Sequence, residues 1–256
     1  MTTFETLMVQ RDGAVMTVLL NRPDKRNAMS TRMHQDLQQL CRELSEDFET
    51  RVVIFAGEGA GFSSGADTSE WARPGPDNEL ELRHVSAIGG RTSDAIDGLD
   101  QISIAAVHGF AVGGGAVIAA CCDFRVAGEG AWFSIPEVEL GIPLSWSALP
   151  RLAREVGHAR ALELTVVCER FTAKQAHEWG LVTHLVPTGR ELAFARELAA
   201  KVVAKPALPV ALTKAAMKAI KRGTETGNVA YSDGDLLLYS RLLQQRARRR
   251  SKERDE

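Results

Sequence analysis

The sequence predicts an α/β body followed by a helical C-terminal region. Three observations predict it: short β-branched runs alternate with segments of helical periodicity up to Val186, two of the apolar runs lead into glycine-bearing turns, and only helical patterns follow Gly189. The 256 residues suit one large domain or a domain with an appendage. The expected division is a core over residues 1–190 and a helical region over residues 191–256.

Leu7 to Gln10 and Ala14 to Leu20 are strand-like runs joined by Arg11-Asp12-Gly13, whose Asp-Gly pair signals a hairpin. A loop rich in Asn and Pro follows, Asn21 to Asn27, and then Met33, Leu37, Leu40, Cys41 and Leu44 recur at helical spacing. Arg51 to Ala56 reads as a buried strand, followed by a Gly-rich loop through Gly65. The polar, Pro-broken stretch from there to about Gly90 reads as a mobile covering loop. Ser103 to Val107 is a second buried strand, leading through a Gly-rich turn into a helix ending near Cys121. Further strands are expected at Phe124 to Ala127, Ala131 to Ser134 and Val182 to Val186, and helices at Ala148 to Val156 and Ala159 to Val167. Thr172 is a candidate N-cap for a helix that stops at Trp179-Gly180. Pro206, Pro209 and Gly223 punctuate the helical region, and the mixed-charge tail from Arg246 is expected to fray in solvent.

Composition excludes several function classes. Lys and Arg number 31 against 33 acids, a formal charge of -2, so nothing favours nucleic acid or an anionic membrane as partner. Gln101 to Cys122 carries no Asp, Glu, Lys or Arg, but four glycines and a strand-like start argue against a membrane span. Cys41, Cys121, Cys122 and Cys168 lack CxxC spacing and read as reduced thiols, and the N-terminus has no export signal, so the expected location is the cytoplasm. No metal site is expected, because the six histidines are scattered and no HExxH appears. Walker A and GxGxxG sequences are also missing, which argues against a nicotinamide cofactor.

Three motifs could carry chemistry. Gly61-Phe62-Ser63-Ser64-Gly65 matches GxSxG, with Asp123 and His184 downstream in the order of a serine hydrolase. That reading is weakened by the several residues between Ser63 and the strand ending at Ala56. Ser64-Gly65-Ala66-Asp67 and Gly113-Gly114-Gly115 each follow a buried strand and can expose backbone N–H groups; two such amides converging on one oxygen would stabilise an enolate. Glu137, among Ile135, Pro136 and Val138, is the candidate base, since desolvation there would bring its pKa toward neutrality.

Four blocks, Asn21-Arg22-Pro23-Asp24-Lys25-Arg26-Asn27-Ala28-Met29, Gly61 to Asp67, His108 to Gly115 with Cys122-Asp123, and Pro136-Glu137 with Leu140-Gly141-Ile142, resemble the enoyl-CoA hydratase/isomerase (crotonase) family. The resemblance runs from about residue 5 to 190 and implies a crotonase-like ββα-spiral core with a helical C-terminal trimerisation region. It implies a homotrimer or a hexamer built as a dimer of trimers, and acyl-CoA thioester substrates of the kind found in fatty acid metabolism. No cofactor is expected beyond the coenzyme A of the substrate. By motif position it puts the oxyanion hole on the N–H groups of Ala66 and Gly114, and coenzyme A contacts on Lys25, Arg26, Ala28 and Asp67.

Departures from the family pattern bear on the reaction. Hydratases of the family place a first glutamate shortly after the triple glycine, where this chain has Val117, so Glu137 alone remains. One carboxylate suits a double-bond shift better than hydration. Trp146 stands where hydratases commonly have a glycine-rich turn, and would narrow or dry the pocket if it faces it. The alternatives are a hydratase whose second acid is Glu139, Glu79 or Glu81, and a protein that binds acyl-CoA without turnover.

Overall fold

The computed structural model describes residues 3–72 and 75–224. The tail from Arg246, and with it the end of the expected helical region, lies outside the described residues. β1 (Leu7–Asp12) and β2 (Val15–Leu20) form the expected antiparallel hairpin, Leu7 opposite Leu20, with Gly13 at φ 55 in the turn. α1 (Thr31–Ser45) starts at Ser30, whose hydroxyl accepts from the Met33 N–H, and buries the five apolar residues that set its period. β3 (Val52–Gly57) then pairs parallel with β2.

The expected covering loop is a correction: α2 (Glu79–Ser86) and α3 (Ile88–Asp97) occupy much of it, after a short 3-10 turn at Thr68–Ala72. Asn78 caps α2 by accepting from the N–H groups of Leu80 and Glu81. Its buried residues are only Leu82 and Ser86, and α3 buries Gly89, Thr92, Ser93 and Ile96, so small and polar residues hide the helical period.

β4 (Ile102–Val107), β5 (Phe110–Val112) and α4 (Gly114–Cys121) follow, then β6 (Phe124–Gly128) and β7 (Trp132–Ser134). α5 (Ala148–Val156) and α6 (His158–Val166) lead to β8 (Phe171–Thr172) and α7 (Ala173–Glu178), where Thr172 and Gln175 form a reciprocal capping box. β9 (His184–Val186), α8 (Glu191–Val203) and α9 (Ala207–Thr224) complete the described chain. β5 and β8 were not read from the sequence: β5 lies within the segment read as a Gly-rich turn, and β8 has only two residues.

One sheet runs β1-β2-β3-β4-β6-β9, parallel except at β1, and a smaller one runs β5-β7-β8. The main core joins α1 and α4 to one face of the large sheet, through Leu37, Phe55 and Ile118 among others. On the other face Ile54, Ile104 and Val126 pack with Ala195 and Ala199 of α8. The charge-free segment is an interior one: every residue of α4 is buried, and no described helix is long and apolar enough to cross a membrane. The four cysteines are buried and free.

Candidate active site

The two glycine-bearing turns meet. Ser63 bridges to Ala111 of β5, with the Val112 N–H donating to Ser63 O at 3.0 Å, while Met29 bridges to Ala66. Gly65, at φ 88, abuts the second turn so closely that a Cβ there would lie 2.6 Å from Val112 O and 3.2 Å from the Gly114 nitrogen. In the parallel bridge, Met29 N–H donates to Gly65 O and Asp67 N–H donates to Met29 O, so the N–H of Ala66 points away from that pairing. The Gly113 N–H is taken by Ser134 O, whereas the Gly114 N–H opens α4 at its positive end. Among the described residues neither the Ala66 nor the Gly114 amide has a hydrogen-bond acceptor.

Ala66 and Gly114 line a cavity of about 360 Å³, and so does Glu137. β7 ends at Ser134 and delivers Ile135-Pro136-Glu137 beside the second turn, where a Cβ on Gly113 would meet Glu137 Oε1 at 2.6 Å. Glycine suits the φ of 50° there and leaves the carboxyl in place, where a Cβ would displace it. Glu137 Oε2 is shut off from water and has no hydrogen-bond partner. Burial pushes this carboxyl up to about 7, offset only in part by its own backbone amide.

Val117 and Trp146 also line the cavity. The indole lies against two glycines: a Cβ on Gly114 or on Gly89 would come within 2.1 Å of its ring atoms. Trp146 and Ser147 both hold left-handed backbone, φ 63 and φ 56, which sets the ring at this place. Asp67 lines the cavity and accepts from Arg22 at 2.9 Å; burial pushes its carboxyl up, but hydrogen bonds from Ser69 and Arg22 outweigh this and hold it below the usual range.

Other sequence-marked residues lie apart. Lys25 and Arg26 are exposed and outside the cavity wall, and Ala28 is buried with its carbonyl accepting from Arg22. Glu79, Glu81 and Glu139 are exposed and do not line the cavity. The hydrolase alternative is contradicted: Ser63 is fully buried, its hydroxyl donating to Asn27 O and accepting from the Gly65 N–H. Asp123 instead holds Ser103 and Lys214, and the His184 ring packs at a tilt against Phe194. Among the described residues no group of three His, Cys, Asp or Glu is placed to hold a metal ion.

The sequence reading missed Glu70 and His34. Glu70 lines the cavity and accepts from the N–H and hydroxyl of Thr31. His34 is 3% exposed, lines the cavity from α1 and stands edge-on to Trp146 with ring centroids 4.8 Å apart. Burial, helped by the charge of Arg91, pulls its pKa down to about 4, so the ring is neutral at pH 7. The available signal was a polar residue at a core-facing position, three before Leu37 and seven before Cys41.

Known proteins match this arrangement over nearly its whole length. The family model for enoyl-CoA hydratase/isomerase matches residues 10–254. The short-chain-enoyl-CoA hydratase of Clostridium acetobutylicum is 34% identical over 220 residues, covering 86% of this chain and 82% of that protein. The crotonyl-CoA hydratase of Syntrophomonas wolfei is 31% identical over 214 residues, covering 83% and 81%. The crystal structure of an enoyl-CoA hydratase from Mycobacterium avium subsp. paratuberculosis superposes with a TM-score of 0.83 at 30% identity, covering 93% of this chain and 94% of the other.

Proposed function

The chain belongs to the enoyl-CoA hydratase/isomerase family, and from that premise we propose that it shifts a double bond, converting a 3-enoyl-CoA into a 2-enoyl-CoA. The observation that carries the reading is the Glu137 carboxyl, with Oε2 unpartnered and a pKa raised to about 7, in a cavity that two residues with unpaired amides also line. The Glu137 carboxylate takes a proton from C2. The electrons pass through the conjugated system to the thioester oxygen, which the N–H groups of Ala66 and Gly114 hold as a dienolate. The carboxyl then returns its proton to C4, the C2–C3 double bond forms and the carbonyl is restored. A base with a pKa near 7 both accepts and returns a proton readily.

Hydration is the second reading, favoured by the hydratases among the relatives. It needs a second group to hold water. Val117 occupies the usual position, while Glu79, Glu81 and Glu139 stand outside the cavity and Asp67 and Glu70 are engaged by Arg22 and Thr31. The test follows both reactions on thioesters of one chain length. Faster isomerisation of the 3-enoyl-CoA than hydration of the 2-enoyl-CoA supports the proposal, and the reverse overturns it. Tight acyl-CoA binding with neither turnover would make the protein a binder alone.

Lys25, Arg26, Ala28 and Asp67 would serve the coenzyme A end of the substrate, with no further cofactor. Assembly as a trimer or hexamer would use the helical region: Leu208, Leu212, Met217 and Ile220 of α9 are all exposed apolar residues. A cytoplasmic setting suits four buried, free cysteines.

A further inference from the structure

The cavity holds a second polar device that proton transfer by Glu137 does not use. His34 Nδ1 lies 2.9 Å from the Thr92 hydroxyl, which also accepts from the Gln38 amide at 2.9 Å, so one side of the ring is tied into a buried network. The other ring nitrogen, Nε2, has no partner among the described residues, and the surface that His34 lines is the cavity. With one ring nitrogen tied to Thr92 and the residue only 3% exposed, a group bound in the cavity is what can pair the other. Ser86, on the same cavity wall, repeats the pattern: it is 4% exposed and its Oγ has no hydrogen-bond partner.

Trp146 relates this device to the reacting end. Its indole touches Gly114 along the benzene ring and His34 stands edge-on to it. His34 and Gly114 thus lie against the same indole in the cavity wall, so acyl atoms beyond the reacting carbons would pass near His34. A hydrocarbon tail there leaves Nε2 and the Ser86 hydroxyl unpaired, whereas a hydroxyl group can both donate and accept. We propose that the acyl pocket selects a short acyl-CoA bearing a hydroxyl group on its tail, received by His34 Nε2 and Ser86 Oγ. The proposal rests on the acyl-CoA reading of the cavity.

The experiment compares pent-3-enoyl-CoA with 5-hydroxypent-3-enoyl-CoA for turnover, and pentanoyl-CoA with 5-hydroxypentanoyl-CoA for binding by calorimetry. The full-length protein is expected to prefer the hydroxylated member by about tenfold, the size of one well-made hydrogen bond to a site that otherwise stays unpaired. In His34→Phe the ratio should fall to about one, and in Ser86→Ala it should fall in part. A ratio near one in the unaltered protein, with both substrates converted, overturns the proposal and leaves the isomerase reading standing. If neither is converted, the isomerase reading fails and the binding ratio still decides. If His34→Phe does not fold, an unchanged ratio in Ser86→Ala overturns the proposal.

Discussion

One wall of the cavity is made of main chain and another of side chains. The first consists of Gly65-Ala66 and Gly113-Gly114, where glycines permit two strands' ends to meet and free two N–H groups. The second consists of α2, α3, His34 and Trp146, whose contacts are packing and buried polar bonds. The difference separates chemistry from selection. Under the proposed reaction the backbone wall would offer its amides to any thioester, while the side-chain wall would set which acyl tail fits.

The largest effects should come from filling the backbone wall. Gly65→Ala would strain a φ of 88° and drive its methyl to 2.6 Å from Val112 O, a backbone atom that cannot swing aside. Loss of one donor from the pair is expected to lower kcat by about 10²–10³, measured on the 3-enoyl-CoA, with a stability loss of about 1–3 kcal/mol read by denaturant unfolding. Gly114→Ala meets the Trp146 ring instead, a movable side chain. Adding Trp146→Ala should therefore recover part of the Gly114→Ala loss, and it should recover none in Gly65→Ala. Equal recovery in both would erase the distinction between the walls.

A smaller effect concerns pH. Folding raises the pKa of Glu137 from 4.5 to about 7, so the stabilisation that protonated Glu137 gives at acidic pH is lost as pH rises from 4.5 to 7. Folding lowers that of His34 from 6.5 to about 4, so its stabilisation is present above 6.5 and lost as pH falls to 4. The two trends oppose each other between 4.5 and 6.5. Relative to the unaltered protein, Glu137→Gln should melt higher above neutrality with the gap closing at acidic pH. His34→Phe should show its gap moving the other way, rising in the variant's favour as pH falls. Thermal melts across this range check both signs.

The smallest effect on activity is expected at Ser63. Ser63→Ala deletes a buried hydroxyl that joins Asn27 O to the Gly65 N–H, costing about 1–3 kcal/mol of stability. Turnover should stay within about threefold, as expected of a group that orders a turn without touching substrate. A complete loss in a folded protein would revive a nucleophilic role for this serine.

The contrast between the walls also explains what was legible in the sequence. Glycine has few reasons to follow a buried strand, so both amide-bearing turns could be found without knowing that they meet. Glu137 stood out because apolar neighbours flank it. α2 and α3 were illegible because they bury Ser86, Gly89, Thr92 and Ser93 where a periodic helix would show leucines. His34 was hidden for a related reason: its partners Thr92 and Trp146 lie 58 and 112 residues away, and only the tertiary fold brings them to one ring. The GxSxG match misled because the motif fixes residue types but not burial.

Exchange of the C2 protons of a bound acyl-CoA with deuterated water tests most directly whether Glu137 forms the enolate. The unaltered protein should wash in deuterium at C2 at a rate that rises with pH through about 7, and Glu137→Gln should slow it by about 10²–10⁴ while the Kd for the thioester stays within a few fold. Exchange at an undiminished rate in Glu137→Gln would contradict the account.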